Sequence, residues 1–296
     1  VQDHLPWFDY NRNERAKIIP SSQLLESEQE IAVYVETTGG RIYCEVEGEG
    51  QPIVLVHGLG ATSNVWYGIR NVLKRQFRVV VLDLPGSGRS EKRQPHYTFP
   101  SWCSQLHELV EHLQLPRLVL VGHSMGTVLV QLFAATYPQR VAGLVLCGPI
   151  IELSETRKEL FRKRIEAVLR EGMLAVADGV VTGALTAATR ESASPLPGLV
   201  REMLLANDPV HYAAQCRALV EGSARAALPQ IRCPLLILEG DQDTVTPLTT
   251  CQEILAVLPQ AQLRILPHTG HWTMLEQPEL VTAALLEFLP KCFAPA

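Results

Sequence analysis

The apolar run Leu118-Val119-Leu120-Val121 leads directly into Gly122-His123-Ser124-Met125-Gly126, and a stretch of helical length, Met125 to Tyr137, follows until Pro138 stops it. A strand that turns sharply into a helix around a central Ser, with Gly at both ends of the pentapeptide, is tightly constrained. The turn lifts the hydroxyl clear of a sheet, and side chains at either end would have no room. The run before it has no alternation, as in a strand buried on both faces. The rest of the chain must therefore supply neighbouring strands and two covering layers. A chance pentapeptide on a surface turn would need neither flanking pattern.

Those neighbours can be read off. Ile53 to Val56, Val79 to Leu82 and Val141 to Cys147 are further short Val/Leu/Ile runs, with helical lengths such as Thr98 to Leu115 between them. Ahead of them, Ile31 to Val35 and Arg41 to Val46 flank Gly39-Gly40 as an antiparallel hairpin. The alternation breaks after Gly148-Pro149: from 150 to 229 the chain reads as helices, among them Glu155 to Arg170, Val200 to Leu205 and Tyr212 to Ala226. Strand followed by helix then returns twice, Pro234 to Glu239 with Leu248 to Leu258, and Gln262 to Leu266 with Leu275 to Leu289. The fold class is α/β, a mostly parallel sheet with helices on both faces. A core of residues 31–149 and 230–296 is interrupted by a helical insertion, 150–229, and preceded by a polar N-terminal extension, 1–30.

Composition narrows the function. With 296 residues, 47% of them hydrophobic, the chain can bury a large core. A net charge of −5 with mixed signs gives no footprint for nucleic acid. No run of about 18 apolar residues exists, so no membrane span is expected. Seven scattered cysteines, an odd number without a CxxC pair, fit small buried hydrophobes in a reducing compartment. A cytoplasmic location is expected, although a leader removed ahead of Val1 stays open.

A serine hydroxyl is a weak nucleophile and needs a base, itself oriented by a third group. The acid should follow a late strand and the His the last one. Asp243 stands in Gly240-Asp241-Gln242-Asp243 after one such strand, and His271 in Thr269-Gly270-His271-Trp272 after the next. Asp241 and His268 are the rivals, assigned to bracing the acid loop and to packing at the strand end; His123, beside the nucleophile, is read as structural. An oxyanion hole requires two backbone N–H groups. Met125, directly after the nucleophile, and Leu59, in His57-Gly58-Leu59-Gly60 after an early strand, are the candidates. The Gly-rich Asp83-Leu84-Pro85-Gly86-Ser87-Gly88-Arg89-Ser90 has neither dinucleotide nor Walker spacing. No metal-binding spacing occurs either. No cofactor and no metal are expected.

These blocks, in this order, resemble the α/β-hydrolase superfamily from about residue 31 to 290. The resemblance implies a cap over the active site, formed by the 150–229 insertion, and a structural role for the Asp83 loop. Within the superfamily, Asn207-Asp208-Pro209-Val210-His211-Tyr212, Cys216-Arg217-Ala218-Leu219 and Trp66 are similar to 3-oxoadipate enol-lactonase-like enzymes, while the Asp83 loop departs from theirs. Gly270-His271-Trp272 is similar to carbon–carbon bond hydrolases of ring-fission products. Ser124 argues against dehalogenases and epoxide hydrolases, which use Asp. The resemblance implies a small apolar ester or lactone as substrate, cleaved through an acyl-enzyme. Trp66, Met173, Met203, Tyr212 and Trp272 are candidate lining. A small-ligand receptor and a cofactor-free lyase or oxygenase on the same scaffold are the alternatives.

Overall fold

The computed structural model describes residues 31–294, so the expected extension over residues 1–30 lies outside the described residues. Among the described residues eight strands form one sheet: β1 (Ile31–Thr37), β2 (Gly40–Glu47), β3 (Gln51–Val56), β4 (Phe77–Leu82), β5 (Leu118–His123), β6 (Val141–Cys147), β7 (Leu235–Gly240) and β8 (Gln262–Leu266). Their spatial order is β1-β2-β4-β3-β5-β6-β7-β8. The hairpin β1–β2 and the β2–β4 pair are antiparallel; β4-β3-β5-β6-β7-β8 are all parallel.

The central strands are buried at nearly every position, and mostly apolar, because both faces are covered. Val54, Val56, Leu118, Leu120, Leu144, Leu146, Leu235 and Ile237 point into a core with α2 (Phe99–His112), α3 (Met125–Thr136) and α9 (Leu248–Val257). Their neighbours Ile53, Leu55, Val119, Val121, Val145, Leu236 and Leu238 join a second core with α1 (Tyr67–Leu73) and α11 (Pro278–Phe293). A short α10 (Thr273–Glu276) precedes α11.

Chain order reverses at β3. From it the sheet runs to β4 on one side and to β5 on the other, so the loops leaving β3 and β5 diverge at their carboxyl ends and open a crevice. Helices α4 (Glu155–Glu171), α5 (Leu174–Ala184), α6 (Ala187–Glu191), α7 (Leu196–Leu205) and α8 (Pro209–Glu221) are inserted between β6 and β7 at that same end. The insertion is pinched at its neck by an antiparallel bridge, Glu152 to Ser223, and by Ala224 N–H donating to Ile151 O at 2.7 Å. Asp208 caps α8, accepting from Val210 and His211 N–H, which starts that helix three residues ahead of the predicted Tyr212. Among the described residues no helix is long and apolar enough to cross a membrane.

Candidate active site

Ser124 sits between β5 and α3 with φ 50° and ψ −119°, a region that costs an L-residue of order 1–3 kcal/mol. The surroundings hold it there. Ser124 N–H donates to Cys147 O at 3.0 Å, and its carbonyl accepts from Thr127 N–H at 2.8 Å and the Thr127 hydroxyl at 2.6 Å. The flanking glycines are sterically required: a Cβ on Gly126 would lie 2.6 Å from His57 O, and one on Gly122 would lie 2.7 Å from Val130 Cγ2.

Asp243 and His271 meet from the loops after β7 and β8, with His271 Nδ1 2.7 Å from Asp243 Oδ2. The other Asp243 oxygen accepts from Val245 N–H at 2.6 Å and Thr246 N–H at 2.9 Å, and the Thr246 hydroxyl donates to Oδ2 at 2.7 Å. Burial alone would raise the Asp243 carboxyl, but the adjacent His271 and the Thr246 donors outweigh it and hold the group below the ordinary carboxylate range. Asp243 thus stays ionised and fixes Nδ1–H, which turns Nε2 away from it as a proton acceptor. Asp241 faces elsewhere, accepting from Thr269 N–H at 3.0 Å. His268 is not among the residues lining the cavity that holds Ser124 and His271.

Gly58 lets the loop after β3 rest on Ser124, since a Cβ there would stand 2.9 Å from Ser124 Cβ. Leu59 lines the same cavity as Ser124, and among the described residues no hydrogen bond occupies its N–H. Met125 is the first residue of α3, so its N–H is one of the helix's unpaired N-terminal donors. The loop is braced from below: His57 Nε2 accepts from Leu84 N–H at 2.9 Å, so Nδ1 carries the proton and donates to Gly58 O at 2.7 Å. Asp83 in turn accepts from Ser63 N–H, Arg89 N–H and Arg89 Nε, the bracing role expected of that loop.

The cavity over Ser124 and His271 measures about 600 Å³ and runs out beneath the inserted helices. Of the candidate lining residues, Tyr212 and Trp272 are on its wall; Trp66 and Met173 instead pack in the hydrophobic cores, and Met203, partly buried, packs against the second of them. The wall is not uniformly apolar. Arg157, Arg164 and Arg225 also line it. Arg225 is neutralised by Glu152 and Glu253, whereas Arg157 donates to the Thr244 and Val245 carbonyls and Arg164 lies 4.7 Å over the Phe161 ring. Among the described residues neither Arg157 nor Arg164 has a carboxylate at ion-pair distance.

Two further residues shape the site: His123, which the sequence marks as structural, and Glu276, which it does not mark. His123 Nε2 donates to His271 O at 3.0 Å, its ring 4.8 Å from that of His271; burial, then the neighbouring His271, push it far below the ordinary imidazole range, so it is a neutral prop. Glu276 ties the insertion to the histidine loop, accepting from Gly270 N–H at 2.8 Å and from Thr186 N–H at 2.9 Å, while His271 N–H donates to Ala184 O at 2.9 Å. The motif neighbourhood pointed at His123, but nothing in the spacing pairs Glu276 with Thr186.

Comparison with known proteins agrees with this geometry. Residues 51–278 match the model of the α/β hydrolase fold family. The chain is 31% identical over 239 residues to 2-hydroxy-6-oxo-2,4-heptadienoate hydrolase of Pseudomonas putida, covering 78% of this chain and 86% of that one. A thermophilic esterase from Thermogutta terrifontis, solved with malate bound, superposes with a TM-score of 0.82 at 32% identity over 90% of this chain and 100% of that one. The enol-lactonase from Burkholderia xenovorans LB400 gives the same TM-score, 0.82, at 26% identity over 87% and 99% of the two chains. The chain belongs to the α/β-hydrolase fold family.

Proposed function

We propose that the protein is a serine hydrolase of small esters or lactones that acts through an acyl-enzyme. One observation carries the reading: His271, 2.7 Å from Asp243, shares a cavity wall with a serine held at φ 50° on a strand-to-helix turn. Ser124 Oγ attacks the substrate carbonyl carbon as His271 Nε2 takes its proton, and the resulting oxyanion is held by the Leu59 and Met125 N–H groups. Collapse breaks the C–O bond, and the departing alkoxide receives the proton from His271. A water, deprotonated in turn by His271, then hydrolyses the acyl-enzyme. Asp243 keeps the imidazole in the working tautomer and balances its transient charge.

The substrate is further proposed to carry a carboxylate. Arg157 and Arg164 offer donors on the cap side of the cavity that no protein carboxylate uses, and the esterase relative was solved with the dicarboxylate malate. Hydrolysis of a carbon–carbon bond in a keto acid is the second reading, favoured by the similarity to a 2-hydroxy-6-oxo-dienoate hydrolase. The deciding experiment is intact-mass spectrometry after a fluorophosphonate. One adduct on the wild type that is lost in Ser124→Ala supports the acyl-enzyme reading; an unmodified wild type overturns it and favours a base-only enzyme or a receptor.

A further inference from the structure

β7 delivers two carboxyl groups to the back of His271. Asp243 is the outer one. The inner one is Glu239, next to last in a strand buried at every position and itself 1% exposed. Its Oε1 lies 3.5 Å from the Thr246 hydroxyl, the group that donates to Asp243 Oδ2, and its Oε2 accepts from the Cys251 thiol at 3.5 Å. The carboxyl also lies within hydrogen-bonding reach of the Asp243 carboxylate. Among the described residues it has no cationic partner.

Two carboxyl groups that close in a dry pocket cannot both be ionised. The charge settles on Asp243, which has His271 Nδ1–H, two backbone N–H groups and the Thr246 hydroxyl around it. Glu239 keeps the proton and, protonated, becomes a donor. Burial, then the neighbouring Asp243, push it up to about 9. The other titratable groups facing it are Cys147 from β6 and Cys251 from α9; burial raises both thiols, Cys147 to about 12 and Cys251 beyond. Glu239 is therefore the first of the three to lose its proton as pH rises.

We propose that Glu239 is a positioning residue for the acid–base pair: kept neutral by its surroundings, it donates a hydrogen bond to Asp243 from behind, and its ionisation in alkali replaces that bond with repulsion. The proposal rests on the reading of Ser124, His271 and Asp243 as a catalytic triad. An apolar residue would satisfy a purely structural position at the end of a buried parallel strand; a hydrogen-bonding carboxyl there serves Asp243.

The test is the pH profile of kcat and KM on a p-nitrophenyl ester, corrected for spontaneous hydrolysis, for wild type, Glu239→Gln and Glu239→Leu. The wild type loses kcat reversibly as pH rises through about 9. Glu239→Gln, whose amide can donate the same bond, stays within about twofold of wild type at pH 7.5 and lacks that alkaline fall. Glu239→Leu, with no donor, loses about tenfold in kcat with KM unchanged. The same alkaline fall in Glu239→Gln, or wild-type kcat in Glu239→Leu, overturns the proposal. Should both variants misfold, infrared spectroscopy of the wild type decides. A buried protonated-carboxyl band that titrates away in alkali is expected, and its absence at neutral pH overturns the assignment. Fluorophosphonate labelling of the same samples separates the two levels: an unlabelled wild type defeats the triad reading, whereas normal labelling with an unaltered profile defeats Glu239 alone.

Discussion

On the sheet side of the cavity the chain has no slack, for a Cβ on Gly126 would meet His57 O at 2.6 Å and Val56 O at 2.7 Å; on the cap side, Gly179 and Gly183 line the same cavity and a Cβ on either would meet nothing within 4 Å. These carbonyls, at the end of β3, cannot retreat without breaking the ladder that aligns Val56 with Gly122. The open side consists of helices whose outer faces leave Leu160, Leu169, Leu174 and Leu199 exposed to solvent. On the proposed function, the groups that do chemistry are thus set by a jammed backbone, and the groups that meet the rest of the substrate by a looser one. Substrate range can change on the cap side without disturbing the reacting atoms.

The sharpest way to break this contrast is Gly126→Ala. The added methyl must displace main chain on both β3 and α3, so the variant is expected to lose several kcal/mol of stability and all measurable activity, as read by thermal unfolding and ester turnover. A folded, active Gly126→Ala would mean that the sheet side has slack after all. Next is Asp243→Asn, which keeps shape but frees the imidazole to adopt the wrong tautomer. A fall in kcat of about 10⁴ is expected with KM little changed. Its stability deficit follows the sign of the shift: because the folded-state pKa of Asp243 lies below the ordinary value of about 3.9, its ionised form stabilises the protein above that pH, and the gap between variant and wild type should close as the solution is acidified below it.

The same contrast explains what the sequence discloses. The jammed side is legible because its geometry forbids alternatives: Gly at 122 and 126, an unbroken apolar strand before Ser124 and a helix after it leave one arrangement. The strands and most helices follow from the same regularity. The cap is less legible. The apolar helix α5, Leu174–Ala184, has only Asp178 and Thr182 as polar side chains and carries two glycines, so periodicity hardly announces it. Met173 and Met203 look like lining by type but pack into one core and against the other, because side-chain direction depends on how the inserted helices pack on one another. Arg157 and Arg164 sit on a helix of otherwise ordinary surface composition, and only the fold turns them toward the cavity. Glu239 hides in an apolar strand, where a single acidic residue carries no motif.

Arg164→Gln sharpens the comparison from the cap side. Mono-p-nitrophenyl glutarate and p-nitrophenyl pentanoate have acyl chains of equal length and differ in a terminal carboxylate. Losing a charge-assisted bond costs about 1.5–3 kcal/mol, so kcat/KM for the glutarate should fall about 10- to 100-fold while the pentanoate is unaffected. Equal losses on both would assign Arg164 to holding the cap together, through its place over Phe161 and beside Tyr212.

The smallest effect is expected at Gly179, where the sign for stability is opposite to that at Gly126. Gly179 lies inside α5 without a positive φ, and a methyl group there enters open space. Alanine gains about 1 kcal/mol over glycine in a helix interior, so Gly179→Ala should raise the unfolding midpoint by about 2–4 °C. The methyl group also projects where Gly179 borders the cavity, so kcat/KM for a bulky acyl chain should drop a few-fold while an acetyl ester is unaffected. A fall on both esters alike would mean that α5 moves during turnover and that its glycines supply the freedom to do so. In that case the open side of the cavity is a working part of the reaction and not a passive wall.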